Sequence, residues 1–176
     1  VWVVLGSLVR RESPRLNEQI DPTMGQLIPR KADEELKIVQ FRRGESRSRE
    51  IENLQDLLTE ISVEDLGCVP GSVRFVYSGN NEFPYGAREQ WTDSCNLLIL
   101  KEGVGIAYDR NDKTAEAFRQ AGFQTIGAKE LLAKFEQGET SPETLADTII
   151  QLPSAELSRA RGGSHCMSMP LLRDSL

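Results

Sequence analysis

Residues 96–126 read NLLILKEGVGIAYDRNDKTAEAFRQAGFQTI, and this stretch decides the fold class. Residues 96–100 and 104–108 are short apolar runs on either side of Lys101-Glu102-Gly103, the pattern of a β-hairpin. Asn111 or Asp112 can cap the helix that follows, Ala115, Phe118 and Ala121 share one of its faces, and Gly122 ends it. Residues 123–126 then read as a strand. The order strand–strand–helix–strand is one mixed α/β unit.

Outward from this unit, residues 128–137 have helical spacing. Ser141-Pro142-Glu143 predicts a further helix, with a serine cap and proline at the first helical position. Residues 153–165 form a polar, glycine-containing loop that leads to Cys166. Upstream, residues 73–77 read as a strand after the turn signal Val69-Pro70-Gly71. Residues 50–61 place Ile51, Leu54, Leu57, Leu58 and Ile61 on one helical face. Residues 36–41 read as a strand, and 42–49 as a charged loop. Residues 6–35 are irregular, broken by Pro14, Pro22 and Pro29, and the apolar run 1–5 reads as a buried strand. Residues 36–78 thus repeat the unit of 96–126 more loosely. A unit of this kind cannot cover both faces of its own sheet, so its repetition points to a larger repeat architecture.

Composition sets limits on function. The chain has 176 residues, 39% hydrophobic and 27% charged, enough apolar material for a core. A net charge of -6, with no basic stripe interleaved with aromatics, argues against a nucleic-acid partner. Cys68, Cys95 and Cys166 are odd in number and widely spaced, and His165 is the single histidine. Neither structural zinc nor a disulfide framework fits that pattern. The run 1–5 is far too short to cross a membrane, and no membrane association is expected. A reducing cytoplasm is the expected location.

The segment Arg159-Ala160-Arg161-Gly162-Gly163-Ser164-His165-Cys166 combines two cations, two glycines and a thiol. Cations beside a thiol raise the share of reactive thiolate, which makes Cys166 a candidate nucleophile. Gly162 and Gly163 supply backbone freedom or close approach to a ligand, and a plain turn would use them too. If the chain is extended here, successive side chains point to opposite faces, so a productive Cys166 turns His165 away. His165 is therefore expected to pack or hydrogen-bond rather than act as a base.

Two stretches carry a family resemblance. Arg88-Glu89-Gln90-Trp91-Thr92-Asp93-Ser94-Cys95-Asn96 with Tyr108-Asp109-Arg110-Asn111, and the run from Glu156 to Pro170, resemble arginine deiminases, members of the guanidino-group-modifying pentein superfamily. The resemblance is specific over residues 88–173 and loose over 27–87, and residues 128–150 look like a helical insertion. It implies an α/β fold, part of a pentein-type propeller of strand–strand–helix–strand modules, with about two of five modules present. On that reading residues 1–176 form one C-terminal portion of a catalytic domain, with 1–35 irregular, 36–78 the looser module and 88–173 the module plus active-site loop.

The resemblance also implies hydrolysis of L-arginine to L-citrulline and ammonia, with no metal or organic cofactor. Cys166 matches the nucleophile and Arg161 the residue that binds the substrate carboxylate, with Gly162 and Gly163 beside the ligand. Asp93, Asn96 and Asp109 belong to the family pattern and read as structural ties; Trp91 reads as core, and Cys68 and Cys95 read as small apolar residues. Family members carry a catalytic histidine and guanidinium-binding carboxylates on distant segments, and a single histidine at 165 leaves no counterpart for the first. The expectation is a chain that holds the nucleophile half only and does not work alone. Its partners would be the missing N-terminal modules or further copies of itself. Hydrolases of agmatine or methylated arginine are the nearest alternatives, Arg161 weighing against agmatine, and a non-catalytic binding module is the alternative outside enzymes.

Overall fold

The computed structural model describes residues 2–4, 38–160 and 162–172, the first of these as backbone only. It divides into two units, residues 1–5 with 74–176 and residues 6–73. The expected irregular segment 6–35 lies outside the described residues.

In the larger unit a four-stranded sheet has the order β5-β6-β8-β7, formed by β5 (Leu98–Lys101), β6 (Val104–Tyr108), β7 (Gln124–Gly127) and β8 (Thr148–Leu152). β5 and β6 are the antiparallel hairpin that the sequence predicts, and β6, β8 and β7 run parallel. Parallel strands are covered on both faces, and β8 is written for that, with Thr148, Ile149 and Ile150 all buried. Alternation sends Ile149 to one face and Ile150 to the other.

On the first face Ile149 packs with Val76, Ala117, Phe118 and Phe123. Two of these come from helix α3 (Asp112–Gln120), whose burial of Ala115 and Phe118 matches the expected stripe. Phe118 and Phe123 meet edge to face with centroids 5.5 Å apart. On the second face Ile150 and Val104 pack with Leu131 of α4 (Ala128–Glu136). Arg74 ties the first layer together. Its guanidinium lies 4.4 Å from the Phe123 ring centre, donates to the Ala121 carbonyl at the end of α3, and pairs with Asp147 at 2.6 Å.

Three expectations change here. Ser141-Pro142-Glu143 does not start a helix. Thr144 closes a single turn by donating through Oγ1 to the Ser141 carbonyl, and the β-branched run that follows becomes the central strand β8 rather than part of an insertion. The second strand of the parallel set was therefore missed. Asn111 sits at the N-terminus of α3 but does not cap it, because its side-chain oxygen accepts from the Thr92 hydroxyl while its N–H donates to the Thr92 carbonyl at 3.0 Å. The capping is done from a distance by Glu89, as described below.

Two further elements precede the sheet. β1 (Trp2–Val4) pairs in parallel with β4 (Phe75–Tyr77), so the described part of the opening apolar run is a strand. A left-handed turn at Gly79, Asn80 and Asn81 leads to helix α2 (Tyr85–Trp91). Trp91 is 66% exposed and is not core. It ends α2 on the solvent side, while Glu89, two positions earlier, takes the buried site.

The smaller unit contains an antiparallel pair, β2 (Ile38–Gln40) and β3 (Arg49–Ile51), then helix α1 (Leu54–Glu60) and one π-helical turn, Ile61–Asp65. The helix starts later than its apolar spacing predicts. Ile51 is drawn into β3 opposite Ile38, and Asn53 caps α1 by accepting from the Asp56 amide at 2.7 Å. Arg42 and Arg49 converge on Glu60, and Arg42 also reaches Glu64 and Asp65 at 3.5 and 3.6 Å. Arg42, Arg49, Glu60 and Glu64 line a cleft of about 240 Å³.

Among the described residues the sheets are open, and no closed barrel or propeller ring is formed. No helix among them is long and apolar enough to cross a membrane.

Candidate functional site

The loop that carries Cys166 is seated on the β5–β6 hairpin by a series of specific contacts. Ser164 is buried and acts as a bridge, its hydroxyl donating to the Ile106 carbonyl at 2.8 Å and accepting from the Leu98 amide at 3.3 Å. One side chain thereby takes the place of a missing ladder rung at the start of β5. Tyr108, buried at the end of β6, donates its hydroxyl to the Gly162 carbonyl at 3.0 Å. Burial raises its phenol, and the negative charges of Asp93 and of a Cys166 thiolate push in the same direction.

The two glycines have different reasons. Gly162 has φ of 101°, a conformation that side chains disfavour. Gly163 is buried against Asn96. A Cβ there would lie 2.5 Å from the Asn96 carbonyl oxygen and 2.6 Å from the Asn96 Cβ, both impossible. The close approach that Gly163 permits is therefore to Asn96, on the hairpin side of the loop.

Past Gly163 the backbone is not extended. Residues 164–167 form a turn, closed by the Met167 amide donating to the Gly163 carbonyl at 3.1 Å. The alternation argument for His165 fails for that reason, since a turn imposes no opposite faces. His165 and Cys166 are both exposed, and the expected packing of His165 does not occur. The His165 carbonyl accepts from the amide and the hydroxyl of Ser168, at 3.1 and 2.7 Å. Cys166 receives the Asn96 carboxamide, Nδ2 to Sγ 2.8 Å.

Asn96 was expected to be a structural tie, and its contact with the thiol is the main feature that sequence reasoning missed. Seventy positions separate the two residues, and no local signal connects them. Asn96 leaves a turn in which Asp93 adopts φ of 62° and accepts from the Asn96 amide at 3.1 Å. Asp93 Oδ2 is buried with no hydrogen-bond partner among the described residues. Gln90, Trp91, Asp93, Cys95 and Asn96 line a cavity of about 420 Å³.

The neighbouring supports are structural. Glu89 is fully buried and accepts from the Lys113 and Thr114 amides at 3.0 and 2.8 Å and from the Thr114 hydroxyl at 2.7 Å. A carboxylate at the N-terminus of α3 satisfies two of the amides a helix start leaves open. Asp109 accepts from the Ser154 amide and hydroxyl at 3.1 Å each, which fixes the start of the long loop, as expected of a tie. Arg110 reaches the Ala155 carbonyl and Ser158 further along, and Arg159 pairs with Glu156 at 3.0 Å. Arg161 lies outside the described residues.

Cys68 and Cys95, read from the sequence as small apolar residues, are exposed. Desolvation of its sulfur nevertheless pushes the Cys95 thiol up. Among the described residues, no three of His, Cys, Asp and Glu are grouped to hold a metal ion.

The arginine deiminase family model matches residues 31–173. The chain belongs to the arginine deiminase family. Among similar proteins, the arginine deiminase of Staphylococcus epidermidis is 31% identical over 125 residues, 70% of this chain and 23% of that protein. Those of Borrelia duttonii and Staphylococcus aureus are each 33% identical, over 63% and 59% of this chain. The chain spans only 20–23% of the length of these arginine deiminase relatives. The family match includes the hairpin, Asn96 and the loop from Gly162 to Cys166.

Proposed function

We propose that this chain carries the nucleophile half of an arginine deiminase, converting L-arginine and water to L-citrulline and ammonia. The observation that carries the reading is Cys166 itself, exposed at the tip of a turn that is fastened to the hairpin on its other side. Guanidinium carbon is a poor electrophile because its charge is delocalised, so attack needs a thiolate held in place and a proton donor for the leaving amine. The Cys166 sulfur forms a bond to that carbon, one C–N bond breaks, and the protonated nitrogen leaves as ammonia. Water then attacks the resulting thiouronium carbon, the C–S bond breaks, and the products are the citrulline carbonyl and free thiolate.

Arg161 is assigned to the substrate carboxylate, for which the guanidinium fork suits two parallel contacts. Gly162 and Gly163 flank the bound substrate through their backbone. Neither a metal nor an organic cofactor takes part in this scheme.

The family's distant histidine has no counterpart here, because the one histidine is His165, beside the nucleophile. The chain alone is therefore expected to release no citrulline from arginine, and to need the segments that supply an acid/base and the guanidinium-binding carboxylates. Two measurements test the reading. A haloacetamidine should label Cys166 faster than Cys68 or Cys95, and equal rates would overturn the nucleophile assignment. Citrulline release by the purified chain, lost in Cys166→Ala, would overturn the claim of incompetence.

A further inference from the structure

We propose that Asn96 is a positioning residue for Cys166, its carboxamide N–H holding the sulfur in its attacking orientation. The inference rests on the reading of Cys166 as the nucleophile and adds a residue to it.

Three features converge. The first is direct contact, Nδ2 to Sγ 2.8 Å. An N–H aimed at the sulfur fixes its orientation. The second is the way the contact is fixed at the loop end. Gly163 has no room for a side chain against Asn96, Ser164 is bonded to both strands of the hairpin, and Tyr108 holds Gly162. With those three residues in place, Cys166 starts from a fixed backbone directly above Asn96.

The third is the way the contact is fixed at the hairpin end. The Asn96 amide is bonded to Asp93 in its left-handed turn, and the residue is half-buried. Cys166 itself is exposed. An exposed cysteine has three staggered positions for its sulfur, and the Asn96 amide selects the one that brings Sγ to Nδ2. Asn96 needs no contact with substrate for this; it acts through the sulfur.

The test is alkylation of the full chain by iodoacetamide across a pH series, with rates read separately for Cys68, Cys95 and Cys166 by peptide mass spectrometry. In this reaction the sulfur displaces iodide from carbon, so no arginine and no turnover are required. Asn96→Asp keeps the size and replaces the donor by a carboxylate. The expected result is a fall of about tenfold in the Cys166 rate at neutral pH, a pH–rate profile moved to higher pH, and an unchanged rate at Cys68. Asn96→Gln, which returns a donor on a longer arm, should recover part of the loss.

A Cys166 profile that is the same in Asn96→Asp and the parent chain, with circular dichroism unchanged, would overturn the proposal. If Asn96→Asp disturbs the fold, the Cys68 rate and the dichroism will report it, and Asn96→Gln then carries the test on the same readout. Failure here leaves the nucleophile reading standing, because haloacetamidine selectivity is measured independently. Equal haloacetamidine rates at all three cysteines would remove the nucleophile reading whatever Asn96 does.

Discussion

Different forces stabilise each of the two units of this chain, taken separately. In the larger unit, β8 is buried on both faces and the core runs through Phe118, Phe123, Ile149 and Ile150. In the smaller unit, helix α1 contributes no buried residue, and Arg42, Arg49 and Glu60 form a network at the surface. Apolar burial is insensitive to salt and is disrupted by cavities. A surface ion network is screened by salt and tolerates truncation of any one member. The loop that carries Cys166 is attached to the first kind of structure.

The largest effect should follow from a cavity in the larger unit. Phe118→Ala removes the ring packed on Phe123 and should destabilise by about 3–5 kcal/mol, read by denaturant titration. A loss below about 1 kcal/mol would mean the layer is not the stable part of the molecule. Next comes the buried carboxylate. Glu89→Ala leaves the Lys113 and Thr114 amides without their acceptor and should cost about 1–3 kcal/mol, with Glu89→Gln costing less.

Gly163→Ala should act locally, because the added Cβ meets Asn96. Hydrogen exchange at residues 162–168 should accelerate while exchange at β8 is unaffected. Equal protection in both proteins would show that the loop is not seated as described.

The smallest effect should be in the ion network. Hydrogen bonding to Arg49, and the charges of Arg49 and Arg42, hold the Glu60 carboxyl below the usual carboxylate value. A lowered carboxyl adds stability above its unfolded titration and loses it as pH falls through its folded value. Protection of α1 should therefore decline on acidification and in high salt, both effects being reduced in Arg49→Ala. Salt-independent exchange across α1 would erase the contrast between the units.

Much of the larger unit was legible in the sequence because its signals are local. The hairpin shows two apolar runs around a turn, and α3 shows a stripe ended by Gly122. β8 was hidden by a misleading local signal, since Ser141-Pro142-Glu143 has the chemistry of a helix start but supports one turn. Helix α1 was drawn too long because Ile51 fits a helical face as well as it fits a strand opposite Ile38. Trp91 shows the limit of residue-type reasoning, as a large apolar side chain lies outside while the carboxylate of Glu89 lies inside.

For the candidate site, the family resemblance singled out Cys166 and the two glycines, and it included Asn96 without its contact to the thiol. The contacts that seat the loop join residues 54, 58 and 70 positions apart, a distance over which no periodicity or spacing argument reaches.

Those separations bear on the order of assembly. The β5–β6 hairpin closes over a two-residue turn, whereas the Tyr108, Ser164 and Asn96 contacts each enclose more than fifty residues and carry a larger closure entropy. During refolding the hairpin and α3 are expected to form first and the thiol to reach its donor near the end. Cys166 would then lack its Asn96 contact in every partly folded form of the chain, gaining it only when the surrounding structure is complete.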